Sequence, residues 1–477
     1  MSNDQIPVRD ITPPKLKPVK VDSNGEFDLY AKQEKIYTKA FTGLFRNLRM
    51  GGGAFLFLLY FGTVWLNWGG RQAVWWNLPE RKFYIFGMTI WPQDFILLSS
   101  LLIISAFGLF FITVFAGRVW CGYTCPQSVW TWIFMWAEKV TEGDRNQRMK
   151  LDKQPMSQNK LTKKAAKHGL WFLVSFVTGL TFVGYFTPIR DLVIEFFTLQ
   201  ASGWAYFWIG FFTVATYLNA GYLREQVCIY MCPYARFQSV MFDKDTLVVS
   251  YDPRRGESRG PRKRGSDYKA EGLGDCIDCK ACVHVCPTGI DIRDGLQYEC
   301  ITCAACIDAC DSIMDKMGYD KGLISYTTEH NLNGEKTHLL RPRLIGYAVA
   351  LLAMLAGFAF AVVNRPLVEL DVLKDRVLYR ENEVGRIENV YTVKVMNKDQ
   401  RQHTYVISAE GIEGLVLEGR REVTAAPGEI LSLPMGLSVD PEQLPNSTNE
   451  ITFKIRSLDD DGVKRSTDSR FIGPVIR

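Results

Sequence analysis

Five stretches of the chain are apolar and carry no charge: residues 52–68, 95–116, 170–187, 204–221 and 344–363. A helix rises 1.5 Å per residue, so about 20 such residues cross the roughly 30 Å hydrocarbon core of a bilayer. The pattern predicts five membrane crossings, with 52–68 (GGAFLFLLYFGTVWLNW) the shortest run. Buried helices of a large soluble protein are the alternative, and the uninterrupted length of 95–116 and 344–363 weighs against it. After residue 366 the pattern changes to short alternating runs, NVYTVKV, HTYVIS and NEITFKIRS, separated by APGE, DPEQLPNST and DDDG. Period-two alternation between turn residues predicts strands, and an antiparallel sandwich of about 110 residues fits the tail.

Lys and Arg resist translocation, so their distribution orients the crossings. Segment 1–51 carries nine, 69–94 three, 117–169 ten, 188–203 only Arg190, and 222–343 seventeen. The expected order is inside, outside, inside, outside, inside, with the tail exported despite its sixteen basic residues, because long domains cross regardless of charge. Trp65, Trp68, Trp75, Trp76 and Trp204 fall near the proposed outer ends, as interfacial aromatics do. The chain opens with no charged n-region followed by a short apolar h-region, so no cleaved signal peptide is expected and the amino terminus stays in the cytoplasm. The 477 residues carry a formal charge of only +5, which argues against a dedicated nucleic-acid binder and suits a basic membrane face.

All twelve cysteines lie between Cys121 and Cys310, on the side where thiols remain reduced. Residues 276–287, CIDCKACVHVCP, place Cys276, Cys279, Cys282 and Cys286 in the C-x-x-C-x-x-C-x-x-x-C-P run of bacterial ferredoxins. A second copy, CITCAACIDAC, supplies Cys300, Cys303, Cys306 and Cys310, with Asp311 in place of proline. In such a repeat the fourth cysteine of each run reaches the other cluster. One [4Fe–4S] cluster would take Cys276, Cys279, Cys282 and Cys310, the other Cys300, Cys303, Cys306 and Cys286. Zinc is the rival, but a third cysteine in each triplet has no place in a tetrahedral Cys₄ site. His284 reads as a loop residue, since four thiolates already suffice.

Two further pairs, GRVWCGYTCP and REQVCIYMCP, place Cys121/Cys125-Pro126 and Cys228/Cys232-Pro233 just past the inner ends of the second and fourth apolar runs. The first four runs therefore read as two copies of one hairpin. If helical, the i and i+4 thiols of each pair share a face. These four cysteines are the candidate redox or copper site, holding a third iron–sulfur cluster or Cu(I), with buried structural cysteine as the other reading. Met231 and Met241 are possible soft auxiliary ligands, though helix packing explains each more simply. Trp130, Trp132 and Trp136 suggest an interfacial helix, and RRGESRGPRKRG (254–265) suggests contact with anionic headgroups more than docking of an acidic donor. In the tail, Asn446 reads as a turn residue and His403 as part of a surface strand.

Two C-x-x-x-C-P hairpins, a double ferredoxin run, a further apolar helix and an Ig-like tail together resemble the CcoG/FixG/RdxA family of cbb-type cytochrome c oxidase accessory proteins. The resemblance covers nearly the whole chain, including RKFYIFGMTIWPQDF and RVWCGYTCPQSVW, and Asp311 is the one departure. It implies a multi-domain integral membrane protein of the bacterial inner membrane, with five parts. These are a cytoplasmic segment 1–51, two membrane hairpins over 52–240, an α+β ferredoxin-like 2[4Fe–4S] domain over 241–340, a fifth crossing at 341–365 and a periplasmic all-β Ig-like domain at 366–477. The implied activity is reduction of Cu(II) to Cu(I), an oxidoreductase role in oxidase assembly. The implied partners are an electron donor, copper or copper chaperones and oxidase assembly factors. A membrane electron-transfer subunit linked to quinone is the second reading. A copper transporter is the third, disfavoured because neither a Walker A motif nor a D-K-T-G-T stretch is present.

Overall fold

The computed structural model describes residues 35–460 and 462–474, so most of the proposed 1–51 segment lies outside the described residues. Among the described residues, four helices are long and apolar enough to cross a bilayer: Leu44–Trp65, Pro92–Ala116, Gln158–Gly184 and Pro342–Val363. The first is α-helical to Phe57 and finishes as a π turn, Leu58–Gly62, and a 3₁₀ turn, Thr63–Trp65. The third starts well before the apolar run at 170. Its basic first half is satisfied by acidic neighbours: Lys164 pairs with Glu142 at 2.9 Å and Asp152 at 2.5 Å, and Lys167 with Glu142 at 3.2 Å. Ser157 caps its first turn by accepting the Lys160 amide.

The apolar run at 204–221 also ends in a π-helix. It is α-helical over Gly203–Thr216 and then a π-helix over Tyr217–Leu223, ending at Arg224 in a left-handed-side backbone conformation with φ 43°. The widened turn brings Gly221 so close to Trp171 that an added Cβ would stand 3.0 Å from the indole ring. Against the expected five crossings, four helices among the described residues meet both length and hydropathy, and the run at 204–221 is not one of them.

Helix Phe95–Ala116 is the axis that separates the two non-membrane parts. Its 22 residues rise about 33 Å. At its start, Asp94 pairs with Arg365 at 2.5 Å and with Lys398 of the β-rich tail at 3.1 Å. At its end, Val114 and Phe115 carbonyls accept from Thr246 and Leu247 of the cysteine-rich part, at 3.0 and 3.1 Å. The tail and the cysteine-rich domain thus sit at opposite ends of the helices. A small antiparallel meander, Val74–Asn77, Lys82–Ile85 and Met88–Ile90, lies at the tail's end.

The tail is a two-sheet antiparallel sandwich. One sheet orders Val416–Glu418, Ile430–Val439, Ile387–Asn397 and Val368–Lys374. The other orders Glu422–Ala425, His403–Glu410, Thr448–Ser457 and Lys464–Ile472. Tyr391, Tyr405, Phe453 and Phe471 fill the space between them without any cysteine. His403 is a correction to the surface-strand expectation: it is buried, with Nε2 2.7 Å from Asp399 and Nδ1 facing the Ser457 hydroxyl. Polar partners at both ring nitrogens are what make an imidazole tolerable there.

The cysteine-rich domain is closed by an antiparallel pair, Val248–Tyr251 with Ile324–Thr327, packed on helices Ala281–Val285 and Ala305–Met317. Three arginines of the basic stretch before it are taken up within the domain, while Arg254, Lys263 and Arg264 stay exposed. Arg255 binds Asp275 at 2.5 Å and the Lys321 carbonyl, Arg259 binds Glu257, and Arg262 binds the Tyr319 hydroxyl and the Gly274 carbonyl. These guanidiniums staple the domain's own loops, because a planar fork satisfies several carbonyls at once. They are not spread as a headgroup-facing patch.

Candidate metal centres

The two ferredoxin runs fold alike. Asp278 and Lys280 in the first run, and Thr302 and Ala304 in the second, all adopt left-handed φ between 53° and 57°. Each such non-glycine residue costs about 1 kcal/mol, and the same cost appears at equivalent places in both copies. The conformation turns each triplet back on itself, and the Thr302 amide donates to Cys300 Sγ at 3.4 Å. Helices Ala281–Val285 and Ala305–Met317 then start at the third cysteines' neighbours and carry Cys286 and Cys310 away toward the opposite run.

Two cavities of nearly equal volume result. One, about 340 Å³, is lined by Cys276, Cys279, Cys282 and Cys310 among apolar residues such as Ile313 and Leu323. The other, about 350 Å³, is lined by Cys286, Cys300, Cys303 and Cys306, with Cys282 at its border. Cys310 thus lines the cavity of the first run's triplet, and Cys286 that of the second. Burial pushes the Cys282 thiol up to about 12 and the Cys300 thiol up to about 12, and raises Cys286, Cys306 and Cys310 as well. Thiolates in so dry a place need bound cationic iron to stay ionised.

The donor set fits an iron–sulfur cube better than a single ion. Four thiolates about 2.3 Å from one zinc would stand roughly 3.8 Å apart. Among the described residues, the only three-donor set drawn within 4.8 Å is Asp245, His330 and His338, so these sulfurs ring a cavity without meeting at a point. The His284 carbonyl accepts the Lys39 amide at 2.7 Å.

The C-x-x-x-C-P pairs also fold alike, but each is broken between its cysteines. Cys121 lies in a short helix, Val119–Tyr123, and Cys125 caps the next, Pro126–Glu142. Cys228 lies in a π turn, Val227–Met231, and Cys232 caps helix Pro233–Met241. The condition for a shared helical face, one helix through both thiols, is not met in either pair. Proline at the first helical position has no amide to give the preceding turn, so it starts a new helix. The result points two helix N-termini, with their partial positive charge, at the second cysteines. The amides of Gln127 and Ser128 face Cys125. The four thiols are close enough to interact electrostatically, Cys121 with Cys125 and Cys228, and Cys232 with both Cys125 and Cys228. Met231 is exposed and does not join them.

The quartet rests directly on the second ferredoxin run. Cys121 packs with Ile301 and Cys303, and a Cβ on Gly122 would stand 2.8 Å from the Ile301 carbonyl oxygen. A cavity of about 330 Å³ lies between Cys228 on one side and Pro287, Thr288 and Ile301 on the other.

Comparison with known proteins agrees with this architecture. A 4Fe-4S dicluster domain model matches residues 223–329, and a model described as an IG-like fold at the C-terminal of FixG matches 358–474. The nitrogen fixation protein FixG of Rhizobium meliloti is 38% identical over 450 residues, 86% of this chain and 85% of that protein. The chain belongs to the FixG/RdxA family. Other members it resembles are RdxB and RdxA of Cereibacter sphaeroides, each 39% identical, covering 85% and 81% of this chain and 87% and 84% of theirs. In this FixG-family protein, residues 223–329 are an iron–sulfur domain and the tail is Ig-like.

Three positions escaped the sequence reading of this FixG homologue. Arg118 is buried; it donates to the Tyr298 carbonyl at 2.6 Å and to the Ala235 carbonyl, tying the end of a membrane helix to both the second ferredoxin run and the second C-x-x-x-C-P pair. Its charge acts on Cys121, Cys228 and Cys300. The signal was an arginine shortly before each membrane pair, Arg118 and Arg224. Gln238, fully buried, accepts from Cys121 Sγ at 3.4 Å. Asp308, within the second run, accepts the Phe45 and Arg46 amides at 3.2 and 2.7 Å, so the iron–sulfur domain caps the first membrane helix.

Proposed function

We propose that this protein reduces Cu(II) to Cu(I) at the membrane, with single electrons entering through the dicluster domain and the cysteine quartet as the place where copper is handled. The observation that carries the reading is the direct packing of Cys121 and Gly122 on Ile301–Cys303. Two [4Fe–4S] clusters, held by Cys276, Cys279, Cys282 and Cys310 and by Cys300, Cys303, Cys306 and Cys286, would supply single electrons, which is what a cupric substrate takes up. Around them, the apolar lining excludes water, and Arg118 holds the second run against the quartet. Thiolates of Cys121, Cys125, Cys228 and Cys232 favour the soft Cu(I) product. No proton moves, so no relay is needed. Five crossings, a cytoplasmic iron–sulfur domain and a periplasmic tail in the inner membrane belong to the same proposal and are supported by the basic-residue distribution. Assembly of a cbb-type oxidase would be the destination of the copper.

The test is anaerobic addition of Cu(II) to the purified, reduced protein, with Cu(I) trapped by a colorimetric chelator. Cu(I) formation that oxidises the clusters in step is expected; Cu(I) yield independent of cluster content refutes the proposal. A second reading, exchange of electrons with quinol, draws on a partly open cavity of about 340 Å³ lined by Met135, His168, Trp171, Tyr222 and Glu225. Cluster reduction by a quinol analogue would favour it.

A further inference from the structure

Thirteen residues past Cys232, Asp245 meets two histidines from the segment leading into helix Pro342–Val363. Its Oδ1 lies 2.7 Å from His330 Nδ1 and 3.7 Å from His338 Nδ1, and it accepts the His338 amide at 2.9 Å. The imidazoles stand nearly perpendicular, 5.7 Å between ring centres. Donors bound about 2.0–2.1 Å from one ion lie roughly 2.9–3.4 Å apart, a range the two distances bracket. On the far side of the His330 ring, Nε2 faces Glu335 Oε2 at 3.6 Å. A carboxylate behind the second nitrogen is the usual way a metal-bound imidazole is oriented. The carboxylate is largely buried, whereas His338 is open to solvent and gives an entry path.

We propose that Asp245, His330 and His338 bind one divalent transition-metal ion, with Glu335 as a positioning residue for His330. Two imidazoles and a carboxylate form a borderline-to-hard set, which takes Cu(II) ahead of Zn(II) and disfavours Cu(I). It is chemically complementary to the sulfur quartet. The site sits where Arg341 pairs with Asp243 at 3.2 Å and Thr246 binds the Val114 carbonyl, so an ion here would clamp the feet of two membrane helices together. The alternative is a protonated His330 shared between two carboxylates with no metal. The proposal goes beyond copper reduction and does not depend on it.

The test uses the full-length protein in detergent, clusters oxidised and no reductant present, with one equivalent of Cu(II) added and pulsed EPR recording nitrogen modulation. Cysteine sulfurs contribute no nitrogen, and the change in His338→Gln assigns the signal to this site among the chain's five histidines. The expected result is modulation from two imidazoles in the wild type, from one in His338→Gln, and about tenfold weaker Cu(II) binding in Glu335→Gln. His338 is exposed, so His338→Gln keeps the fold, and iron content checks it. Absence of nitrogen modulation in the wild type, or modulation unchanged in His338→Gln, overturns the proposal. Cupric reduction is not read in this experiment, so either idea can fail alone.

Discussion

Gly122→Ala is the sharpest probe of how the membrane cysteines meet the iron–sulfur domain. The new methyl would stand 2.8 Å from the Ile301 carbonyl oxygen, 2.9 Å from Cys303 Cα and 3.0 Å from the Thr302 carbonyl oxygen. Carbon atoms are comfortable at about 3.5 Å or more, and all three neighbours are backbone, so the second ferredoxin loop must move by roughly half an ångström. Overpacking of this kind costs about 1–3 kcal/mol. Gly108→Ala, in helix Phe95–Ala116, is the control: nothing lies within 4 Å of its Cβ position, and alanine gains up to about 1 kcal/mol in a helix. Thermal loss of the cluster absorbance in detergent is the assay. The Gly122 variant should lose its colour about 2 °C or more below the Gly108 variant, while both carry full iron because no cysteine is touched. Equal transition temperatures would show that the quartet and the second run are not in contact, and the proposed electron route would lose its footing.

Three further outcomes follow from the same geometry. Cys310→Ala and Cys276→Ala should remove the same EPR signal and half the iron, and Cys286→Ala and Cys300→Ala the other; grouping by run, without exchange, would refute the reciprocal cavities. Asp308→Ala removes the acceptor of the Phe45 and Arg46 amides, costing about 0.5–2 kcal/mol, and those two amides should exchange hydrogen faster while cluster content holds. Asp94→Ala leaves the Lys398 ammonium, only 2% exposed, with Glu369 as its remaining anion, at a cost of up to about 3 kcal/mol; limited proteolysis should then release the Ig-like tail more quickly.

Legible from the order of residues alone were the features written in local periodicity and spacing. Charge-free runs marked the membrane helices at 95–116 and 344–363 almost to the residue, because length and transfer energy suffice to define a spanning helix. Alternation marked the strands at 389–395, 403–408 and 449–457, and the repeated cysteine spacing marked the dicluster domain. Packing between segments outside any one local window decided the rest. It set Arg118 and Gly122 against the second run, Asp308 on the first membrane helix, and Asp245 beside His330 and His338. It also turned His403 inward and Arg255 and Arg262 onto their own domain. A side chain's solvation and partners depend on what the other helices and loops bring to it, and no window of neighbouring residues carries that information.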